Sequence, residues 1–415
     1  MRYERAPYKL DQLGFVGRGK SKHRPRNDPS LYGGEYPFFQ TGDVKGAELY
    51  LRDYSATYNE KGLAQSKLWQ PGTLCITIAA NIADTSVLSV SGCFPDSVVG
   101  FVADPQKSNV FFVKYYLDTL KKAMQSVSHG TTQDNLSLEK LLSFDFWVPP
   151  VEEQRKIASV LLAYDDLIDN NTRRIKNLEE MARRLYEEWF VQFRFPGHVG
   201  VEFKESELGP IPESWRIAPI KDTYYDLFDG PHATPKKCTS GPVFLGIKNI
   251  RSEGGLDFST VQHISENDFP KWTKRVTPQQ GDIVFSYEAT LNRYAIIPKS
   301  FHGCLGRRLA LVRPKPYFRS FLYVHFFSSG WREVVARNTL SGATVDRIPL
   351  SGFPDFPLLL PPEAIVRKFE TVSSPILELI ERLTVKSANL RAQRDLILPK
   401  LISGEIDAFN IPMPT

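Results

Sequence analysis

The most constraining feature of this chain of 415 residues is that its second half repeats its first. A Pro-Pro pair begins at Pro149 and precedes Arg155, and a second pair begins at Pro361 and precedes Arg367. The corresponding residues are 212 positions apart in both cases (361 − 149 and 367 − 155). A period of half the chain is too long for a solenoid, so it indicates two copies of a whole module. Two alike modules in one polypeptide suit a target that has two parts.

The composition is that of an ordinary soluble globular protein, long enough for two or three domains. Hydrophobic residues make up 42% of the chain, and no apolar run approaches the roughly 18 residues that a membrane span needs. The N-terminus has no apolar stretch typical of a signal peptide. The four cysteines are scattered without a Cys-x-x-Cys pair, so we expect neither a disulfide framework nor a zinc site. These observations predict a protein of the reducing cytoplasm.

The positive charge of the chain is concentrated in its two β-rich parts. Residues 1–150 carry 17 Lys and Arg against 15 Asp and Glu, and residues 195–360 carry 20 against 16. The stretches that follow these parts are close to neutral. This distribution is compatible with two nucleic-acid-binding heads on neutral spacers.

Two long stretches have the spacing of helices in a coiled coil, with seam positions at alternating intervals of three and four residues. The first seam comprises Ile157, Leu161, Tyr164, Ile168, Asn171, Ile175, Leu178, Ala182, Leu185 and Trp189. The second comprises Phe369, Val372, Ile376, Leu379, Leu383, Lys386, Leu390, Gln393 and Ile397. Two amphipathic helices, each packed on a separate globular core, are the alternative. Asn171 is a seam residue of the kind that fixes register, and we expect Pro399 to end the second helix.

The sequence of each copy therefore predicts an irregular, turn-rich β-region followed by a long helix. The predicted fold class is α+β, with two similar domains joined by two long helices in an antiparallel coiled coil and a pseudo-two-fold internal repeat. The segments are a first domain at 1–148, a first long helix at 149–193, a linker and second domain at 194–360, a second long helix at 361–403 and a tail at 404–415.

Residues 14–21, Gly-Phe-Val-Gly-Arg-Gly-Lys-Ser, match the phosphate-binding P-loop expression Gly-x-x-x-x-Gly-Lys-Ser. That site needs a helix directly after the loop, and Pro25 and Pro29 oppose a helix interior there. A basic loop is the better interpretation, because such a density of Lys and Arg suits contacts with phosphates and base edges. The loop carries Arg18, Lys20, Lys22, His23, Arg24 and Arg26. A merely solvated charged loop is the alternative.

Asp43, in the stretch Asp43-Val44-Lys45, follows a predicted strand and could belong to a nuclease metal site. Its counterpart in the second copy is Asn249-Ile250-Arg251, which has no acidic residue. Because a catalytic metal needs acidic ligands, at least one copy is not expected to be catalytic. The sequence also has no Asn-Pro-Pro-Tyr-type motif, no Gly-rich methyl-donor loop and no Gly-x-Ser-x-Gly elbow. We interpret the chain as a reader without chemistry of its own.

Several longer stretches are specific to one family. They are residues 17–38, residues 40–44 (Gln-Thr-Gly-Asp-Val), residues 148–157 (Val-Pro-Pro-Val-Glu-Glu-Gln-Arg-Lys-Ile) and residues 208–215 (Leu-Gly-Pro-Ile-Pro-Glu-Ser-Trp). With the duplication and the paired helices, the whole chain resembles the DNA-specificity subunits of type I restriction-modification systems. The second copy departs from the pattern, because residues 363–366, Glu-Ala-Ile-Val, lack the Glu-Gln that precedes Arg155.

The resemblance implies two target-recognition domains, each of which reads one half of a bipartite double-stranded DNA site. It also implies that the antiparallel coiled coil docks two methyltransferase subunits, through which restriction and motor subunits join the complex. This chain is then non-catalytic and binds no cofactor, while S-adenosylmethionine, ATP and Mg²⁺ belong to the partner subunits. A coiled-coil adaptor scaffold without DNA contact and a P-loop nucleotide hydrolase are the alternative functions.

The candidate DNA contacts lie in both copies. They are Arg18, Lys20, Lys22, His23, Arg24, Arg26, Gln40, Thr41, Lys45, Thr131, Thr132, Lys248, Asn249, Arg251, Arg293, Arg307, Arg308 and Thr344. The seam candidates are Ile157, Leu161, Ile168, Asn171, Ile175, Leu178, Leu185, Phe369, Ile376, Leu383, Leu390 and Ile397. No catalytic residue or metal ligand is predicted. The DNA sequence that is read does not follow from residue types alone.

Overall fold

The structure, a computed structural model, describes residues 4–128, 135–342 and 345–411. The chain forms two compact units, the first comprising Met1–Asn171 and Lys386–Thr415 and the second comprising Thr172–Val385. The boundary between the units falls within both long helices, so each unit includes one part of each helix. Among the described residues, no helix is long and apolar enough to cross a membrane.

The first unit alternates short strands and helices before it enters a long helix. Its elements are β1 (Ala6–Tyr8), α1 (Leu10–Leu13), β2 (Gly14–Arg18), β3 (Tyr32–Phe38), α2 (Thr41–Gly46), β4 (Tyr50–Leu51), β5 (Ala56–Tyr58), α3 (Glu60–Ala64), β6 (Leu74–Thr77), β7 (Thr85–Leu88), β8 (Val98–Ala103), α4 (Val110–Ser128), α5 (Leu138–Ser143), β9 (Phe146–Val148) and the beginning of α6 (Val151–Tyr186).

A five-stranded sheet of order β2-β8-β6-β7-β4 forms the centre of the first unit. The first four strands pair antiparallel, and β4 joins the edge in parallel with β7. On one side of the sheet Leu74 and Ile76 pack with Phe112 of α4. On the other side Cys75 packs with Trp69. Burial on both faces explains why β6 is a continuous apolar run and does not alternate.

The second unit continues α6 with a π-helical turn, Glu187–Val191, and then repeats the succession of strands and short helices. Its elements are β10 (Phe203–Lys204), β11 (Ile211–Pro212), β12 (Arg216–Pro219), β13 (Tyr224–Asp229), β14 (Cys238–Leu245), β15 (Gln262–His263), α7 (Phe269–Trp272), β16 (Ile283–Ser286), β17 (Tyr294–Ile296), β18 (Gly303–Leu305), β19 (Leu309–Pro314), α8 (Arg319–His325), α9 (Ser329–Asn338), β20 (Leu340–Ser341), β21 (Asp346–Arg347), β22 (Pro357–Leu360) and the beginning of α10 (Glu363–Ser403).

The central sheets of the two units share one topology. The order β13-β19-β16-β17 in the second unit matches β2-β8-β6-β7 in the first, strand for strand. In both units a short antiparallel pair joins the start of the module to the strand before the long helix, as β1 with β9 and as β12 with β22. The predicted α+β duplication is therefore confirmed.

In each unit a long helix supplies a side chain that accepts a hydrogen bond from the start of a neighbouring helix. The Gln154 amide oxygen accepts from the Asn109 N–H, directly before α4, at 3.0 Å, and Gln154 is only 1% exposed. Its equivalent 212 positions later (154 + 212) is the apolar Val366. Glu370, one helical turn further on, accepts from the Ser320 N–H of α8 at 2.9 Å. The Glu-Gln that the second copy lacks therefore has an internal role, which the second unit fulfils from the next turn.

The predicted seam of the first long helix is confirmed in both units. Its buried members are Ile157, Leu161, Tyr164, Ile168, Asn171, Ile175, Ala182 and Trp189, and its half-buried members are Leu178 and Leu185. In the first unit the seam packs with Leu390 and Leu401, near the end of α10. In the second unit it packs with Phe369 and Leu377, near the start of α10. The two helices therefore run antiparallel.

The predicted seam of the second long helix is correct at every seventh residue and at Leu379, and wrong at the other positions between. Phe369, Leu383 and Leu390 are buried, and Ile376, Leu379 and Ile397 are half-buried. The intervening Val372, Lys386 and Gln393 are exposed. The helix instead turns inward Ser373, Ser387 and Arg394. The apolar Val372 misled the interpretation, because small and charged side chains one residue further along occupy the seam.

Pro399 does not end the second long helix, contrary to the prediction. α10 continues through both Pro375 and Pro399 and ends at Ser403, where Gly404 takes a left-handed φ of 76°. Each proline removes one helical N–H donor. Because both prolines lie at exposed positions, water can reach the carbonyl groups that lose a helical partner.

Candidate nucleic-acid interface

Three segments meet at the same end of the central sheet in each unit. We call them the strand-end loop, which follows the first strand of the sheet, the post-helix segment, which follows a short helix, and the cysteine turn. In the first unit they are residues 19–28, 65–67 and 93–97. In the second unit the equivalent residues are 230–237, 274–276 and 304–308.

Hydrogen bonds hold the strand-end loop of the first unit against the other two segments. The Lys20 N–H donates to the Phe94 carbonyl at 3.0 Å, and the Ser66 hydroxyl donates to the Lys20 carbonyl at 2.7 Å. The Gln65 amide oxygen accepts from the His23 N–H at 3.0 Å. The basic loop is therefore a defined surface of the unit.

Lys20 and Lys22 are the predicted cations of this loop that stay available to a ligand. Both side chains are exposed, and neither forms an ion pair within the described part of the chain. An ammonium group binds phosphate as a point charge and needs no fixed orientation. These two residues are therefore the strongest candidates for phosphate contacts in the first unit.

The three predicted arginines, Arg18 at the end of β2 and Arg24 and Arg26 in the strand-end loop, each bond to the protein through one guanidinium nitrogen. Arg24 donates to two carbonyls of its own loop at 2.6 and 2.8 Å. Arg26 forms a 2.5 Å ion pair with the Asp96 carboxylate of the cysteine turn. Arg18 donates to the Asp96 carbonyl at 3.2 Å. All three side chains are exposed, so they face solvent while they hold the loop in place.

His23 closes the loop on itself. Its Nε2 lies 2.7 Å from an oxygen of Asp28. Hydrogen bonds from Ser30 and from the His23 ring lower the pKa of the Asp28 carboxyl. Since the imidazole is half-buried and paired, His23 positions the loop.

Lys67 is a cation of the site that the sequence analysis missed. Its ammonium lies 3.7 Å from the ring centroid of Trp69 and 4.6 Å from that of Phe15, which is 55% exposed. Burial lowers the pKa of Lys67, and the charge of Lys20 lowers it further. The post-helix segment thus adds a third cation beside Lys20, next to the exposed Phe15 ring of strand β2. The alternation of basic and aromatic residues in Lys67-Leu68-Trp69 was the available signal.

The second unit holds its strand-end loop in the equivalent way. The Gly230 N–H donates to the Leu309 carbonyl at 2.8 Å. Arg275, from the post-helix segment, donates to the Gly230 carbonyl at 3.1 Å. A Cβ at Gly230 would lie 2.4 Å from the Gly306 carbonyl oxygen, so this close approach of two backbones requires glycine.

Of the cations predicted in the second unit, Lys248 and Arg307 are exposed. The other three arginines make internal contacts. Arg293 donates to the Ile250 carbonyl at 2.9 Å, Arg308 pairs with Glu288 at 3.1 Å, and Arg251 pairs with Glu179 at 3.6 Å. A second set of cations in this unit was not predicted from the sequence, and it comprises Lys271, Lys274 and Arg275.

Asp43 and Asn249 occupy equivalent positions and cap short helices. An Asp43 carboxylate oxygen accepts from the Gln40 N–H at 2.7 Å, and the Asn249 amide oxygen accepts from the Gly246 N–H at 3.0 Å. The Asn249 side chain also donates to the Asp257 carbonyl at 3.1 Å, and it is 1% exposed. The prediction that Asn249 contacts DNA is therefore wrong, because its polar atoms are satisfied inside the unit.

The remaining candidates of the first unit lie at or near α2. Gln40 and Lys45 are exposed and Thr41 is half-buried. The Lys45 ammonium donates to the Asn81 side chain at 3.1 Å. Thr131, Thr132 and Thr344 lie outside the described residues.

This architecture has known relatives. Residues 6–180 match the family described as the type I restriction modification DNA specificity domain. The type I restriction enzyme HindI specificity subunit of Haemophilus influenzae is 31% identical over 341 residues, which cover 68% of this chain and 73% of that protein. The chain belongs to the type I restriction enzyme specificity subunits.

Other specificity subunits match over almost the whole chain. The type I restriction enzyme MjaIX specificity subunit of Methanocaldococcus jannaschii is 23% identical over 424 residues, covering 96% of this chain and 92% of that protein. The crystal structure of the type I restriction-modification S subunit from M. genitalium covers 96% of both chains with a TM-score of 0.58 and 12% identity. That likeness supports the same fold over the full length.

The P-loop match in this specificity subunit does not have the geometry of a nucleotide site. Residues 14–18 form strand β2, and the first helical turn after Ser21 is the short 3₁₀ turn Pro29–Leu31. A P-loop requires a helix whose N-terminus points at the phosphates directly after the Gly-Lys-Ser. Gly19 instead approaches the cysteine turn so closely that a Cβ would lie 2.3 Å from the Phe94 carbonyl oxygen.

Proposed function

We propose that this chain binds an asymmetric bipartite sequence in double-stranded DNA, and that each unit reads one half of it. The observation that carries the proposal is the repeated site. Both units bring a strand-end loop, a post-helix segment and a cysteine turn to one end of the same sheet. The framework is shared while the side chains differ, and different side chains select different base edges. Two unlike half-sites are the expected target.

We further propose that the chain is the non-catalytic subunit of its complex. Its specificity-subunit family supports this, and so does Asp43, which caps a helix where a metal ligand was one interpretation. Two methyltransferase subunits would dock on the chain, and restriction subunits would join through the complex, in the cytoplasm. S-adenosylmethionine, ATP and Mg²⁺ would then be bound by those partners, and this chain would bind none of them.

DNA binding distinguishes this proposal from its alternatives. The purified chain with its methyltransferase should retard a duplex that carries the target in a gel-shift assay, with an affinity that falls steeply as salt rises. A coiled-coil adaptor would not bind the duplex under any salt condition. A nucleotide hydrolase would release phosphate from ATP without partner subunits.

A domain exchange tests whether each unit reads separately. Residues 200–358 are replaced by the second domain of a related specificity subunit, and methylated adenines are mapped in a host that carries the system. We expect only one half of the methylated sequence to change. A change in both halves would show that the two units do not read independently.

A further inference from the structure

The second unit contains a basic cleft that none of the predicted contacts occupies. The cleft has a volume of about 190 Å³ and opens between the strand-end loop and the post-helix segment. Leu305 of the cysteine turn and Val276 contribute apolar walls. Its polar and aromatic lining comprises Asp229, His232, Lys271, Trp272, Lys274 and Arg275.

The charges in this cleft are unequally engaged. Asp229 is the one acid among the described lining residues, and both of its oxygens are used. One lies 2.5 Å from Arg275 and the other 2.8 Å from His232. Lys271 and Lys274 are exposed and form no ion pair within the described ranges. Two ammonium groups therefore remain without a compensating charge at the mouth of the cleft.

The same contacts decide what kind of ligand fits. Asp229 compensates the charge of Arg275 in an ion pair of 2.5 Å. The same guanidinium nitrogen, Nη1, also donates to the Gly230 carbonyl at 3.1 Å. The Trp272 ring is half-buried and packs edge-on against Phe244, with centroids 5.9 Å apart. The two ammonium groups are therefore the charges of the cleft that no acid compensates, and an ammonium group binds phosphate as a point charge without a fixed orientation.

We propose that this cleft binds one backbone phosphate of the second half-site through Lys271 and Lys274, with Arg275 and Asp229 holding the walls in place. The inference rests on the proposed DNA-binding function and deepens it, because it assigns the cleft a positioning contact and not a reading contact. The first unit presents Lys20 and Lys67 from the equivalent two segments, so each unit would place its half-site against a phosphate at the same end of its sheet.

The test uses the full chain with its methyltransferase and two duplexes, one with the target sequence and one without it. In the K271A/K274A variant, log K should fall less steeply with log salt, by about 0.9, the value for one phosphate. If both proteins bind equally at 1 M salt, the variant should bind both duplexes about eightfold more weakly at 0.1 M salt. Mapping of methylated bases should return an unchanged sequence.

Two matched variants control for charge and folding. K271R/K274R keeps both charges and should restore most of the slope. K299A removes an exposed lysine that follows β17 at the opposite end of the sheet from Gly230, and it should leave the slope unchanged. An unchanged slope in K271A/K274A, or a loss confined to the target duplex, would overturn the phosphate assignment. If the unmodified complex bound neither duplex, the proposed function itself would fall first.

Discussion

The cysteine turns of the two units have the same backbone role and opposite charges. Gly92-Cys93 in the first unit and Gly303-Cys304 in the second are 211 positions apart (303 − 92), which places Asp96 opposite Arg307. Asp96 pairs with Arg26 and so removes a cation from the surface of its own unit. Arg307 is exposed and adds one. The difference shows how one framework can offer two unlike surfaces to a target without any change in the sheet.

The long-helix seam also differs between the units in the chemistry of the side chains that fill it. In the second unit it is aromatic, with Tyr186, Phe190 and Phe369 in one cluster. In the first unit it contains a buried ion pair between Arg394 and Asp165. Burial opposes the charge on Arg394, but the neighbouring carboxylates of Asp165 and Asp395 outweigh it and raise the pKa of Arg394. The second unit relies on buried apolar area. The first unit relies on a charge pair that can form in only one register of the two helices.

The largest expected effect comes from breaking that ion pair. R394A would leave Asp165, which is 4% exposed, with the Tyr115 hydroxyl as its remaining hydrogen-bond partner among the described residues. A buried charge that loses its partner costs about 3–5 kcal/mol in the free energy of unfolding. S387A is the matched control, since Ser387 lies on the same seam seven residues earlier and its buried hydroxyl has no partner among the described residues. Urea denaturation measures both variants, and a loss below about 1 kcal/mol in R394A would remove the contrast between the seams.

A second effect separates free from occupied cations in the first unit. K20A/K22A removes two unpaired charges and should lower the salt slope of DNA binding by about 1.8, or roughly 60-fold in affinity between 1 M and 0.1 M salt. R26A removes a cation that Asp96 already neutralises, so its slope should change far less. A slope that is smaller by about 0.9 in R26A, the value for one phosphate, would mean that DNA displaces Asp96 from Arg26.

A smaller effect follows from removing the negative charge of the first cysteine turn, which makes that turn more similar to the second. D96N should free Arg26 for a phosphate and raise the salt slope by up to about 0.9, close to eightfold in affinity at 0.1 M salt. D53N is the control, because it changes the net charge equally at an exposed acid that has no partner among the described residues. If both variants strengthened binding alike, the gain would reflect total charge and not the turn.

The smallest effect is an acid sensitivity specific to the second unit. His325 is buried beside the Tyr186 hydroxyl, 2.7 Å from its Nδ1, and burial lowers the pKa of His325 to about 3 from 6.5. The unfolded chain therefore takes up a proton below pH 6.5 that the folded unit refuses, so stability falls as the pH falls. Between pH 6.5 and 5.5 this amounts to about 1 kcal/mol. H325Q should abolish that share of the loss, as hydrogen exchange in the second unit can measure, while exchange in the first unit stays unchanged.

The sequence was sufficient for the architecture because duplication and heptad spacing are regular signals. The two units share one order of strands, as a repeat predicts. The residues of the first seam are buried or half-buried, as their apolar spacing predicts. The second seam could be predicted at every seventh position and at Leu379. Ser373, Ser387 and Arg394 are polar residues that a hydrophobic pattern places outside. Ser373 donates to the Phe369 carbonyl of its own helix and Arg394 pairs with Asp165 of α6, while the Ser387 hydroxyl has no partner among the described residues.

The candidate site was predictable only where its cations are contiguous in sequence. The strand-end loop of the first unit and Arg18 just before it concentrate six basic residues within nine positions, and this cluster was recognised from sequence. Lys67, Lys271 and Lys274 were missed, because they belong to segments that approach the loop only after folding. The sequence likewise could not tell free charges from occupied ones, since the Arg26 partner lies 70 residues away.

The hydrogen bond that each long helix accepts from a neighbouring helix sets rules for exchanging modules between proteins. A first-type domain grafted onto the second joint would meet Val366 where it needs an amide, and the Asn109 N–H would lose its acceptor. A second-type domain grafted onto the first joint would leave the Ser320 N–H without an acceptor, because its acceptor is Glu370 on the helix beyond the domain. A graft from one joint to the other therefore has to carry the first turns of its own helix, so for such a graft the functional cassette extends past the visible edge of the domain.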